Sequence, residues 1–360
     1  MGRTGKFRML DTVSLNRRSL LAAAPALWLG PWALAAESGA APVAVRKLHS
    51  LRLRVRDAGR SVAFYQDMFG APVQARQGRD VALRVGAGPQ YFTISQAAAD
   101  EAPSIAHIGL SVADFDLDAV QSQLRAFGVA PGPGPESPAG RLAAGMTSWV
   151  RERPGGTREL YFADVEGIVY HLSSPLDCGG GGTLGELCNA VGPAPAAGLF
   201  EIVDYNHFTN FTANRARANA FHRRVFGKDF QAYQGPGAPV IGVGDGFQFL
   251  MYMGGDEAGP PENPALIHHV CFGMNGFDVD EIRERLSGYG LRARPDGAPT
   301  EPLMHWVSMR MPERGGFETG TPEVYFSDPD GISIQLQDPA YCGGGGYLGD
   351  DCPRNSPSAR

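Results

Sequence analysis

Alternation of apolar and polar residues occurs four times along the chain, and each time an amphipathic stretch follows it. The alternating segments begin at Leu48, Ile105, Tyr205 and Leu266. Alternation with a period of two predicts a strand with one buried face, and the apolar residues at three-to-four spacing that follow predict a helix. We expect the four helices over residues 59–69, 117–127, 217–226 and 279–289. The pattern therefore predicts an α+β fold built from repeated strand–helix–strand units.

Two matching tail segments indicate that the chain is internally duplicated. Each half has a Tyr-Phe pair before an Asp-x-x-Gly turn, then four glycines bracketed by two cysteines, and the second copy lies 164 residues after the first. A Gly/Pro/Ala-rich stretch at 192–198 separates the copies, which is typical of a domain boundary. We predict a first domain over 46–190, a linker over 191–201, a second domain over 202–352 and a disordered tail over 353–360.

The first 36 residues resemble a bacterial twin-arginine export signal. Arg17 and Arg18 precede the apolar run Leu20–Leu34, and small residues near Ala35 offer a cleavage site. A membrane anchor is the alternative, but the run is short and is broken by prolines. We therefore expect a periplasmic or secreted protein, exported by the twin-arginine route, with no stable membrane span after signal cleavage.

Charge and cysteine content narrow the classes of partner. The formal charge is −6, and removing a leader of charge +4 leaves −10 without any basic block, so we expect no nucleic-acid partner. In an exported protein, four of the five cysteines predict two local disulfides. Zinc binding is the alternative, which the absence of histidines beside the pairs disfavours. The pairs are Cys178 with Cys188 and Cys342 with Cys352, and Cys271 is left as a buried free thiol.

The motifs around the first and third helices carry a family resemblance. Asp57 followed by Arg60–Gly70, Asn214 followed by Arg217–Gly227, and the closing segment Asp328–Leu336 resemble a tandem member of the vicinal-oxygen-chelate superfamily. That superfamily contains glyoxalases, bleomycin-resistance proteins and extradiol dioxygenases. The resemblance implies four βαβββ modules, paired into two cup-shaped mixed sheets with helices outside and a ligand site inside.

The resemblance also implies where a metal would bind, on the first strands of two paired modules and on the last strand. Counting to these positions gives His207, His269 and Gln335 in the second half. The first half gives Ser50, His107 and His171. Neither set contains the carboxylate that is usual in the family, and the sequence does not distinguish Fe, Mn, Zn or Ni as the divalent ion.

Neighbouring residues offer further candidates. His49 and His268 are expected to point away from the cups, although a bulge would turn His49 inward. His305 is a candidate catalytic base, with an exposed strand histidine as the alternative, and Tyr325 is a candidate catalytic hydroxyl, with ordinary strand packing as the alternative. His222 stands where Tyr65 stands in the first half, so we expect it to be structural.

These observations favour an exported, metal-dependent lyase, isomerase or dioxygenase that acts on a small oxygenated, perhaps aromatic, substrate. The alternative is a metal-free small-molecule binding protein of the bleomycin-resistance type. The histidine pairs favour the enzyme and the missing carboxylate favours the binding protein. The oligomeric state stays open.

Overall fold

The computed structural model describes residues 41–134, 145–153, 156–180, 188, 192–235, 237–256 and 265–344. The export signal, Cys352 and the tail over 353–360 lie outside these ranges, so the predictions made for them stay predictions. Within the described ranges, no helix combines the length and the apolar character that a bilayer span requires.

Each half contains the strand–helix–strand unit twice, as the sequence pattern predicted. The elements of the first half, in chain order, are β1 (Val45–Val55), α1 (Ala58–Phe69), β2 (Val73–Gln77), β3 (Asp80–Arg84), β4 (Tyr91–Gln96), β5 (Ser104–Val112), α2 (Leu117–Ala126), β6 (Ala130–Pro131), β7 (Thr147–Glu152), β8 (Arg158–Ala163) and β9 (Val169–Ser173). Those of the second half are β10 (Ile202–Thr212), α3 (Arg215–Phe226), β11 (Phe230–Tyr233), β12 (Pro239–Gly242), β13 (Phe249–Gly254), β14 (Leu266–Met274), α4 (Val279–Tyr289), β15 (Arg292–Ala293), β16 (Met304–Arg310), β17 (Thr321–Ser327) and β18 (Ser333–Gln337), with a 3-10 turn at Pro312–Arg314. The predicted α+β class is confirmed.

Side-chain caps determine where the helices begin. Asp57 and Asn214 accept hydrogen bonds from the backbone amides three residues later, at 3.0 and 2.8 Å. A cap of this kind satisfies one of the amides that the first turn of a helix leaves without a partner. The corresponding glycines, Gly70 and Gly227, end α1 and α3 with φ of 57° and 60°, a conformation that costs glycine little.

The two halves have the same strand order. In the first half β1 pairs in parallel with β4 and antiparallel with β5, and β5 pairs in parallel with β9. The second half repeats this with β10, β13, β14 and β18. A short antiparallel contact between Ile105 and Ile267 joins β5 to β14, so the two mixed sheets are continuous across the junction.

Each sheet has one face in the hydrophobic core and one face that carries polar residues. On β1 the side chains of Leu51 and Leu53 belong to the core, whereas Ser50 and Arg52 alternate with them. Strand alternation therefore places Ser50 and Arg52 on the opposite face. We call this polar face the first cup, and the matching face around His207 the second cup.

The helices α1 and α3 connect the halves. Tyr65 on α1 donates a hydrogen bond of 3.0 Å to Asp328, in the Asp-x-x-Gly turn of the second half. At the equivalent place His222 on α3 contacts Asp164 at 2.8 Å, with both side chains fully buried. Burial raises the pKa of Asp328 to about 6. The structural role predicted for His222 matches this position, and one hydrophobic core runs through both halves.

Candidate metal centre

Three side chains from separate strands of the second half meet in the second cup. His207 lies on β10, His269 on β14 and Gln335 on β18, and β14 pairs with both of the other strands. The two imidazole rings are 5.5 Å apart between centroids, in an edge-to-face arrangement. All three side chains are buried, with 2, 5 and 1 % exposure. The sequence-predicted set is therefore brought together, and we call it the His207–His269–Gln335 group.

Several polar atoms of this group have no hydrogen-bond partner among the described residues. They are Nε2 of His269 and both amide atoms of Gln335. The other ring nitrogens are engaged outward, since Nδ1 of His207 contacts Asn206 at 2.8 Å and Nδ1 of His269 contacts His268 at 2.8 Å. A buried polar atom without a partner costs free energy, so it indicates a ligand that the protein alone does not supply.

The electrostatics keep both imidazoles neutral. Burial lowers the pKa of His207 to about 3, and burial together with the neighbouring His207 lowers the pKa of His269 well below its ordinary value. The amide of Gln335 lies close to both rings and raises their pKa values against the effect of burial. Its atoms nevertheless make no hydrogen bond of normal geometry with either ring. Neutral imidazole is the form that binds metals.

The donor set fits a divalent ion, but with a weak third ligand. Two neutral imidazoles and an amide oxygen are donors that suit transition metals. Among the described residues, no three His, Cys, Asp or Glu side chains form a metal-binding cluster, and the third donor here is the neutral Gln335. Cys271 is a free buried cysteine, as predicted, and burial raises the pKa of its thiol well above the ordinary value, so the thiol stays protonated.

Tyr325 lies beside the His207–His269–Gln335 group. It is the cross-strand partner of Gln335, and its ring meets the ring of His269 edge-on at 5.3 Å. Its hydroxyl donates to Glu323 at 3.3 Å, and burial raises its pKa well above the ordinary value. Trp306 stacks on Tyr325 at 5.3 Å. Tyr325 is thus a neutral side chain in the wall of the second cup, and its hydroxyl group donates a hydrogen bond to Glu323.

His305 does not lie in the second cup, where a catalytic base of that site would have to be. Its Nε2 contacts Ser287 of α4 at 2.9 Å. The next residue, Trp306, stacks on Tyr325 inside the cup. Because neighbouring residues of a strand face opposite sides, His305 faces the helix. It is buried rather than exposed, so the alternative of a surface histidine is also not met.

The first cup brings the predicted residues together but adds a cation. The rings of His107 and His171 are 5.8 Å apart, and Ser50 contributes a buried hydroxyl without a hydrogen-bond partner among the described residues. Arg52 is the cross-strand partner of His107. The pKa of His107 lies well below its ordinary value, mainly because the ring is buried and also because the charge of Arg52 is close. A buried guanidinium repels a divalent ion. Arg52 therefore disfavours a divalent ion beside His107, and the assignment of His107 and His171 as metal ligands stays a prediction.

His49 is buried through a local irregularity in the sheet. The register between β1 and β5 shifts between Leu48 and Ser50, and His49 is only 2 % exposed. Its Nε2 contacts the backbone oxygen of Asp177 at 2.6 Å. The ring therefore does not reach solvent, and its contact ties β1 to the segment that follows β9. His268, half-buried, stacks on Phe211 at 4.3 Å.

The cysteine-bracketed tail packs onto the first half. Cys178 and Cys188 form a disulfide, as predicted, whereas Cys352 lies outside the described residues and its pairing with Cys342 stays a prediction. Just before the disulfide, Asp177 accepts from Tyr91 at 2.8 Å and from Arg153 at 2.9 Å. Burial raises the pKa of Asp177, but Arg153 outweighs this effect and holds the pKa well below its ordinary value.

The sequence analysis did not predict a buried Arg–Glu ion pair that occurs once in each half. Arg153 contacts Glu159 at 2.6 Å, and Arg310 contacts Glu323 at 3.1 Å. Each pair links the two central strands of a hairpin to the start of a tail, where Arg310 also contacts the hydroxyl of Tyr341. The sequence does contain a signal for these ion pairs, because the motif Glu-x-Tyr-Phe occurs in both halves. Arg153 and Arg310 are also 157 residues apart, the same separation as between Trp149 and Trp306.

A cavity of about 950 Å³ opens in the first cup and not over the His207–His269–Gln335 group. Its lining includes Arg52, His107, Trp149 and Tyr161, together with residues of β14 from the second half. This cavity and the candidate metal ligands therefore do not coincide, since none of His207, His269 and Gln335 is among its lining residues.

The comparisons with known proteins agree with this architecture. Residues 47–168, about a third of the chain, match the family model of the glyoxalase/bleomycin resistance protein/dioxygenase superfamily. No curated protein gives a significant match. Similarity to solved structures extends over both halves of the chain.

Three solved structures illustrate that similarity. The Mn(II)-bound glyoxalase of Novosphingobium aromaticivorans has a TM-score of 0.55 at 17 % identity, with 86 % of this chain and 87 % of that chain covered. The 2,3-dioxygenase LapB of Pseudomonas sp. KL28 has a TM-score of 0.53 at 16 % identity, covering 82 % and 93 %. Homoprotocatechuate 2,3-dioxygenase of Brevibacterium fuscum, in its complex with 3,4-dihydroxyphenylacetate, has a TM-score of 0.53 at 16 % identity, covering 84 % and 83 %. At these identities the likeness establishes the fold alone.

Proposed function

Because residues 47–168 form a domain of the glyoxalase/bleomycin resistance protein/dioxygenase superfamily, we propose that this chain is an exported enzyme of that kind. In this proposal it is a metal-dependent lyase, isomerase or dioxygenase that acts on a small oxygenated, perhaps aromatic, substrate. The second half carries the reaction. The twin arginines of the leader and the disulfide between Cys178 and Cys188 support export to an oxidising compartment.

The observation that carries the proposal is the convergence of His207, His269 and Gln335. Three strands bring two neutral imidazoles and an amide together, and Nε2 of His269 and both amide atoms of Gln335 have no hydrogen-bond partner among the described residues. His207, His269 and Gln335 would hold a divalent ion, which when bound polarises the oxygen atoms of a substrate as a Lewis acid.

The surrounding residues orient this group and keep it dry. Asn206 fixes the ring of His207 through Nδ1, and His268 does the same for His269, so each ring presents its Nε2 to the other ligands. Tyr325 and Trp306 stack beside the group and form an apolar wall against which a flat substrate could pack. Tyr325 keeps its proton and donates it in a hydrogen bond to Glu323, so we assign it a positioning role.

The structural relatives supply the probe for a direct test. The full chain, loaded with Mn(II) or Fe(II), is titrated with 3,4-dihydroxyphenylacetate, and both oxygen consumption and the ultraviolet–visible spectrum of the ligand are recorded. We expect a metal-dependent change of the ligand spectrum that His269→Ala abolishes and His107→Ala retains. An identical spectrum with and without metal would count against the proposal for this substrate class.

The alternative is a metal-free small-molecule binding protein, and the neutral Gln335 is the observation that favours it. A neutral amide leaves the charge of a divalent ion uncompensated. This alternative predicts that small-molecule binding survives chelation of all metal and the His269→Ala change, so the same titration distinguishes the two functions.

A further inference from the structure

The two cups share a frame but differ in three arginines. Stacked Trp149 and Tyr161 in the first cup correspond to stacked Trp306 and Tyr325 in the second. Arg52 faces His107 across β1 and β5, whereas Thr209 faces His269 at the equivalent register. Arg151 is the cross-strand partner of Glu159 in the first half, and at the equivalent position of the second half Ser308 is the partner of Glu323. Likewise Arg54, two residues after Arg52, corresponds to Phe211.

Three residues that line the cavity of the first cup carry hydrogen-bonding groups that make no hydrogen bond within the described part of the chain. Nε of Arg52 and Nε1 of Trp149 are buried without a hydrogen-bond partner among the described residues. The imidazole of His107 makes ring contacts with Tyr161 and His171 but no hydrogen bond within the described part of the chain. Arg52, His107 and Trp149 are each more than nine-tenths buried, at 9, 7 and 6 % exposure.

Arg151 supplies a cation without a counterion. Its guanidinium lies over the ring of Tyr161 at 5.2 Å, and it forms no ion pair with a described residue. The other cations nearby are compensated, because Arg52 pairs with Asp80 and Arg54 with Glu101. The first cup holds as many carboxylates as arginines, because Arg153 is shared by Glu159 and Asp177, but Arg151 is the guanidinium that makes no ion pair of its own with a described residue.

The rest of the lining is apolar and the carboxylates at its border are largely paired. Ile105, Val169 and Ile267 contribute aliphatic surface. Glu101 and Asp330 border the cavity, but Glu101 pairs with Arg54 and Asp330 with Arg60 at 2.6 Å. Asp100, also at the border, is exposed to solvent. A volume of about 950 Å³ is in the range of small-molecule sites.

We propose that the first cup is a second, metal-free site that binds a small organic carboxylate with an apolar, ring-sized body. The carboxylate accepts hydrogen bonds from Arg151, Arg52 and the indole N–H of Trp149, and the body packs on the aliphatic wall. A guanidinium does here what a metal would do in the second cup, since both attract anionic oxygen. This site is independent of the function proposed for the second half.

The probe for this site is 2-naphthoate, with neutral 2-naphthamide as its uncharged partner. Binding to the full chain is measured by isothermal titration in the presence of EDTA, so that metal in the second cup plays no part. We expect saturable binding of naphthoate, with naphthamide about tenfold weaker or worse because it lacks the charge-assisted hydrogen bonds. Equal affinity for the two probes, or no saturable binding at millimolar naphthoate, overturns the proposal.

Matched variants locate the site. Arg151→Gln is expected to weaken naphthoate binding about tenfold. Arg294→Gln, which removes the guanidinium that lies 4.1 Å from the ring of Trp306 in the second half, is expected to leave it unchanged. Trp149→Phe keeps the ring and removes the N–H, so it tests the donor if Arg151→Gln folds poorly. Unchanged affinity in both Arg151→Gln and Trp149→Phe overturns the proposal, whereas retained binding in His269→Ala separates this site from the metal centre.

Discussion

Replacing Phe69 by alanine tests whether the two halves unfold as one body. Phe69 ends α1 in the first half and is 7 % exposed. Its ring lies 5.4 Å from Phe272 and 6.2 Å from Phe326, both in the second half, and 6.0 and 6.5 Å from Tyr65 and Phe92 in the first. Truncating a buried phenylalanine costs about 3–5 kcal/mol through lost transfer free energy and the cavity left behind. With contacts to four rings, we expect a loss of about 4 kcal/mol in the free energy of unfolding.

The assay is denaturant unfolding of residues 37–360, followed separately in each half. Tryptophan fluorescence reports the first half in a Trp306→Phe background and the second half in a Trp149→Phe background. We expect both reporters to shift together in Phe69→Ala, because the lost contacts lie across the junction. Phe317→Ala is the control, since that side chain is 60 % exposed and its truncation should change stability by less than about 0.5 kcal/mol.

A shift of the first-half reporter alone would refute this reasoning. It would mean that the ring contacts with Phe272 and Phe326 carry little free energy and that the halves unfold independently. A shift as small as that of Phe317→Ala would show that the site relaxes around the missing ring.

Three further changes test the electrostatics. Burial raises the pKa of Asp328 to about 6, so its contribution to stability is complete below about pH 4 and is lost as pH rises through 6. Asp328→Asn should therefore gain about 3 kcal/mol relative to the wild type between pH 4 and 7, measured by denaturant unfolding at each pH. The double change Ser50→His and Arg52→Thr gives the first cup the second cup's residues at these positions, and Mn(II) titration should then detect binding there. Gln335→Glu should tighten Mn(II) binding at least tenfold, measured by the same titration, because a carboxylate compensates the charge of the ion.

Each of these has its own contrary outcome. A stability difference between Asp328→Asn and wild type that stays constant from pH 4 to 7 would show that the carboxylate titrates normally. If Arg52→Thr with Ser50→His binds no Mn(II), the guanidinium is not what keeps metal out of the first cup. Weaker binding in Gln335→Glu would place residue 335 outside the coordination sphere.

The sequence predicted the helices and strands well, because local signals specify them. Asp57 and Asn214 cap helices that begin within two residues of the predicted positions. Counting along strands also placed His207 and His269 correctly, because strand parity determines which face a side chain occupies.

Three features depended on information that the sequence pattern does not carry. His305 lies on the face of β16 that packs against α4, which the sequence did not show because the strand contains no strong alternation. His49 is buried through a register shift, and bulges leave no reliable mark in a single sequence. Arg52 was not singled out from the sequence, and its pairing with His107 shows that it brings a guanidinium into the first cup.

The central claim is that the second cup, and not the first, holds a divalent ion. The most direct measurement is Mn(II) binding by isothermal titration to the full chain and to the paired variants His269→Ala and His107→Ala. We predict one Mn(II) per chain for the wild type and for His107→Ala, and none for His269→Ala. Loss of binding in His107→Ala with retention in His269→Ala, or no binding by the wild type, would contradict the assignment.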